Sequence, residues 1–130
     1  MAGNPRWCQH IRLDVAPDLC TTSSPEQTVE ALHELLGYIF RRASAGTITV
    51  RGGHDAEWAV LWVQDRAAPM SRRRRGVVVD AVGWCSPGVD DLPLHVAAHL
   101  VRGEGGELRI EDRTGGGGSF GTFLPTAAPP

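Results

Sequence analysis

Along "CQHIRLDV" (8–15), Ile11, Leu13 and Val15 alternate with polar neighbours, the two-residue period of a strand with one buried face. After a turn in "APDLCTTS", Ser24, Pro25 and Gln27 supply an N-cap, an N1 proline and a capping-box partner. The apolar spacing then becomes helical, with Val29, Leu32, Leu35, Leu36, Ile39 and Phe40 on one broad stripe. That helix is expected to end between Ala43 and Gly46. "TITVR" (47–51) and "EWAVLWVQD" (57–65) flank Gly52-Gly53-His54-Asp55, which predicts a hairpin turning at those four residues. The second of these strands is apolar on both faces, the pattern of a central strand.

"RAAPMSRRRR" (66–75) reads as a polar loop and the valine-rich "GVVVDAVGW" (76–84) as a strand. A second helix follows over 91–102, carrying Leu92, Val96, Ala97, Leu100 and Val101, and Gly103 and Gly105-Gly106 stop it. "ELRIED" and "SFGTFL" close the chain as a hairpin around Gly115–Gly118. These elements predict an α+β two-layer sandwich, a mostly antiparallel mixed sheet with helices packed on one face. One domain is expected over 8–125, between a disordered lead (1–7) and tail (126–130); there is no internal repeat.

Composition narrows the function classes. With 130 residues, 42% hydrophobic and 22% charged, the chain has the make-up of one globular domain. A net charge of −2 disfavours a generally polyanionic partner, so nucleic acid is not expected. All 13 basic residues are arginine, which removes the lysine ammonium as a phosphate ligand and fits a GC-rich bacterial genome. Cys8, Cys20 and Cys85 form no CxxC pair, so neither a zinc knuckle nor a redox dithiol is indicated. No apolar stretch has the length of a signal peptide or a membrane span, and a cytoplasmic location is expected.

Two segments carry a resemblance. "IRLDVAPDLCTTSSPEQTVEALHELLGYIFRRASAGTITVR" (11–51) resembles the opening of the catalytic ATP-binding domain of sensor histidine kinases: a strand, a P-D-L turn, a helix start like S-P-E-Q, then "GTITV". "GGELRIEDRTGGGGSFGTFLP" (105–125) is similar to the last hairpin of that family, which ends in Leu-Pro. Together they cover about half of the chain, in order and at matching spacing. The resemblance implies a GHKL (Bergerat) ATPase-like fold.

It also implies four ligand-binding features, and each is altered. Where the family keeps an asparagine that holds Mg²⁺, the long helix has Tyr38. Mg²⁺ takes compact oxygen ligands at about 2.0–2.1 Å, and a neutral phenol is a poor substitute whose ring would fill the metal's space. Glu34, one turn earlier, falls where related ATPases keep a general base; it is otherwise a solvated helix carboxylate. Asp65 stands where the family's Asp-x-Gly-x-Gly aspartate accepts a hydrogen bond from the adenine amino group, yet Ala67 and Pro69 replace the glycines. Asp65 is alternatively the first residue of the loop after its strand. In place of the phosphate-binding Gly-x-Gly at the second helix stand Asp91 and Pro93. Proline has no N–H to offer a phosphate, and Asp90 and Asp91 can cap that helix end themselves. A carboxylate about 4 Å from a phosphate oxygen would add roughly 4 kcal/mol of repulsion at an effective dielectric near 20. Lastly, the 76–84 strand occupies the interval of the family's mobile lid and is expected to cover part of the former pocket.

The remaining charge features are weaker. Arg72, Arg73, Arg74 and Arg75 can contact an acidic protein partner, clamp phosphates or touch a nucleic-acid backbone; a solvated loop is the plainer reading. His95 and His99 share a helix face at i, i+4 without an evident third metal ligand. The expected function is a non-catalytic, nucleotide-binding-deficient kinase-like domain, a pseudokinase acting as an interaction module in two-component signalling. Its partner would be a kinase, a response regulator or a second copy, with no cofactor and no metal. The alternatives are an ATP- and Mg²⁺-binding phosphotransfer protein using Asp65 and Glu34, and a nucleic-acid-associated protein using Arg72–Arg75.

Overall fold

The computed structural model describes residues 9–43, 46–66, 92–112 and 117–126. They form five strands, β1 (Gln9–Val15), β2 (Gly46–Asp55), β3 (Trp58–Gln64), β4 (Glu107–Asp112) and β5 (Gly118–Pro125), and two helices, α1 (Pro25–Ala43) and α2 (Leu92–Gly103). The sheet order is β1-β2-β3-β5-β4, with β1 parallel to β2 and the other pairs antiparallel. The expected α+β sandwich with a mixed, mostly antiparallel sheet is therefore observed, and β3 is central.

Strand alternation and register decide which side chains meet the helices. Ile48 and Val50 of β2, Val63 of β3, Phe120 of β5 and Leu108 of β4 form one buried core with Leu35, Tyr38 and Ile39 of α1 and Leu94, Ala97 and Ala98 of α2. The stripe on α1 is rotated from the expected one, since Tyr38 and Ala31 are buried and Val29 is 66% exposed. In α2 the buried residues are Leu94, Ala97, Ala98 and Val101, and Leu92 is exposed.

Ile11, Leu13 and Val15 pair in register with Ile48, Val50 and Gly52, so they face the helix side. All three are exposed nonetheless, Leu13 at 73%, because the buried layer stops at β2. Alternation identified the strand but not the extent of its cover.

The N-cap of α1 holds in part. Ser24 Oγ accepts from the Gln27 N–H at 3.5 Å, as expected. The reciprocal partner differs: the Ser24 N–H donates to Glu104 Oε1, from just beyond α2, rather than to Gln27. A tertiary contact thus replaces the local box and ties the start of α1 to the end of α2.

The hairpin between β2 and β3 also differs from expectation. Gly52 and Gly53 lie within β2, and the last pair is Asp55 with Trp58. Gly52 is there for space: a Cβ would stand 2.8 Å from Leu19 Cδ2 and 3.1 Å from Leu61 Cδ1. The two-residue turn instead places Ala56 at φ 54°, a conformation that costs a non-glycine residue about 1–2 kcal/mol. Ala56→Gly removes that cost against roughly 0.5–1 kcal/mol of added chain entropy in the unfolded state. A stabilisation of about 0.5–1 kcal/mol is expected, read as a higher urea midpoint at unchanged slope.

Candidate functional site

At the end of β3 the chain buries a carboxylate. Asp65 has 0% exposure. Its Oδ2 accepts from Arg42 Nε at 2.9 Å, its Oδ1 accepts from the Gly118 N–H at 3.0 Å, and its own N–H donates to the Gly118 carbonyl. The two β5-side contacts need a very close approach of the preceding residue. Gly117 has φ 94°, and a Cβ there would stand 2.1 Å from the Asp65 carbonyl oxygen.

An apolar wall backs this clasp. The Arg42 guanidinium carbon lies 5.5 Å from the Phe120 ring centroid, and Tyr38 packs edge-on against the same ring at 6.1 Å. Arg42 follows Tyr38 by four residues on α1, so both project from one helix face. Tyr38, at 5% exposure, is part of the hydrophobic core. Glu34 is half-buried one turn before it.

The structure therefore brings Tyr38 and Asp65 to opposite sides of one cluster, with Phe120 and Arg42 between them. Sequence reasoning missed Arg42, Gly117 and Phe120. Arg42 was accessible through its i, i+4 relation to Tyr38; the role of Gly117 arises only from the approach of β5 to the end of β3.

Pro93 is the second residue of α2 and brings no N–H to the start of that helix. Ala67, Pro69, Arg72–Arg75, the 76–84 segment, Asp90 and Asp91 lie outside the described residues. His95 and His99 stack with ring centroids 6.4 Å apart. Among the described residues no group of three or more metal-ligating side chains occurs. No described helix is long and apolar enough to cross a membrane.

The layout of β1-β2-β3-β5-β4 with two helices on one face recurs in solved structures. The chain superposes on a nucleotide-free form of the catalytic domain of histidine kinase ThkA with a TM-score of 0.79, covering 93% of this chain and 82% of that one at 14% identity. The histidine kinase ATPase fold is present here. The mycobacterial sensor histidine kinase MprB gives a TM-score of 0.75 over 93% of this chain and 86% of its own, at 18% identity. Full-length ShkA, solved in complex with AMPPNP, gives 0.69 at 18% identity; this chain spans 93% of itself but only 27% of ShkA. No family model and no curated protein matches the sequence. The sequence resemblance at both ends of the chain and the observed fold thus agree.

Proposed function

We propose that this histidine kinase-type domain does not use nucleotide and acts as a protein-interaction module in signal transduction. One observation carries the reading: Asp65, which the resemblance sets at the adenine position, is buried and held by Arg42 and the Gly118 N–H. Breaking a buried ion pair such as Arg42–Asp65 costs about 3–5 kcal/mol. A hydrogen bond from a neutral adenine amino group to a carboxylate returns about 1.5–3 kcal/mol. A nucleotide that displaced Arg42 from Asp65 would therefore bind at a net loss. The packed Tyr38 ring and the missing N–H of Pro93, which the resemblance sets at the Mg²⁺ and phosphate positions, support the same reading.

In this reading the apolar faces that hold the fold together are kept and the ligand boxes are not. The exposed surface serves a partner protein, whether a kinase, a response regulator or a second copy, and the Arg72–Arg75 run is the sequence's candidate contact to an acidic one. The experiment is a titration with ATP and with ADP, each with and without Mg²⁺, followed by thermal shift and calorimetry. A ligand at about 100 times its Kd stabilises a protein by about 2.7 kcal/mol. No stabilisation at millimolar nucleotide is expected. A Mg²⁺-dependent shift would replace this reading with that of an ATP-binding phosphotransfer domain.

A further inference from the structure

One edge of the sheet is open among the described residues. β1 lies at the end of the strand order and, among those residues, pairs with β2 alone. It runs from Gln9 to Val15 in unbroken register with β2, without the bulge or proline that commonly blunts a sheet edge. Residues 11–15 are exposed on both faces of the strand. The opposite edge differs, because β4 has its apolar Leu108 buried in the core. Hydrogen bonding fixes which backbone groups of β1 face outward. The Ala16 N–H donates to the Gly52 carbonyl, so by alternation Asp14 and Arg12 also direct their backbone groups to β2. Ile11, Leu13 and Val15 therefore present their N–H and C=O groups to the open edge.

Those groups and the side chains between them are self-complementary. We propose that β1 pairs antiparallel with β1 of a second copy of this chain, about a two-fold axis at Leu13, so that the two five-stranded sheets become one. In this register Leu13 faces Leu13 and Ile11 faces Val15 of the other copy, each pair exchanging backbone hydrogen bonds in both directions. Arg12 of each copy then stands directly opposite Asp14 of the other. These are the non-hydrogen-bonded pairs, whose Cα atoms are only about 4.5 Å apart. Unlike charges so placed are stabilising and like charges destabilising. Sliding one strand by two residues sets Arg12 against Arg12 or Asp14 against Asp14, and a one-residue slip sets apolar against polar side chains. Charge thus singles out one register. Ile11, Leu13 and Val15 of both copies gather on the helix side, which takes part of their exposed surface from water. A strand whose own two charges satisfy each other across a two-fold axis selects its own copy as partner.

The proposal rests on the interaction-module reading and names a second copy as its partner. Sedimentation velocity on the full chain reads the association, with reductant present to exclude disulfide-linked dimers. A concentration-dependent shift from the 14.0 kDa chain to twice that mass is expected. Arg12→Asp and Asp14→Arg each turn both attractive pairs repulsive. Each should raise the dimer Kd at least about tenfold, equivalent to about 1.4 kcal/mol. Both positions are exposed, so the far-UV circular dichroism of each variant should be unchanged. Mixing the two variants should restore association, because the acidic seam of one then meets the basic seam of the other. Exchange of the Leu13 amide should also slow as the wild-type concentration rises. A monomer at concentrations up to about 1 mM, a dimer indifferent to both substitutions, or no rescue on mixing would overturn the proposal. A monomer would leave this edge to a strand of another protein. It would not alter the nucleotide titration, so failure here is distinct from failure of the reading beneath it.

Discussion

Arg42→Met is expected to lower the unfolding free energy by about 3–5 kcal/mol. Methionine keeps most of the aliphatic stem, so the loss comes from the charge left behind. Asp65 would remain at 0% exposure with its carboxylate deprived of the guanidinium 2.9 Å away. A domain of this size has about 5–15 kcal/mol of total stability, so the variant should unfold on the order of 10–20 °C lower. Adding Asp65→Asn should recover most of the loss. The amide oxygen can still accept from the Gly118 N–H, and no buried charge is left unpaired. Urea unfolding of the two single variants and the double variant forms the cycle that isolates the pair. A cost below about 1 kcal/mol for Arg42→Met would mean that solvent reaches the pair.

The second large effect is at Gly117. A methyl group there meets the Asp65 carbonyl oxygen at 2.1 Å, and φ 94° is unfavourable to any L side chain. Conformational strain of about 1–2 kcal/mol adds to overpacking of about 1–3 kcal/mol, so Gly117→Ala should cost about 3 kcal/mol. Gly53→Ala is the control, because nothing lies within 4 Å of its added methyl. That change should be neutral or stabilise by up to about 1 kcal/mol. Thermal unfolding monitored by near-UV circular dichroism separates the two, since the Tyr38–Phe120 contact lies beside the affected clasp.

The periodic elements were legible in the sequence because burial and period coincide in them. β3 is apolar on both faces and sits centrally, and α1 follows its Ser24 cap to Ala43. Where a tertiary contact outweighs local chemistry, the sequence misled. Gly52-Gly53 looked like a turn, but Gly52 is needed under Leu19, and the chain turns three residues after Gly53 at a strained Ala56. Ile11, Leu13 and Val15 announced a buried face that neither α1 nor α2 covers. The candidate site was half legible. Tyr38 and Asp65 came from the resemblance and lie in one cluster, whereas Arg42, Phe120 and Gly117 join them only through the crossing of α1 with the start of β5.

The central claim is that the Asp65 carboxylate is held by the protein and is closed to nucleotide. It is tested most directly by following the Gly118 amide and the Arg42 Nε–H resonances in ¹H–¹⁵N spectra during titration with ATP and Mg²⁺. Both groups donate to Asp65. Unchanged positions and intensities at millimolar nucleotide are the predicted result. A saturable, Mg²⁺-dependent movement of either resonance would show that the clasp opens for a ligand and would contradict the account.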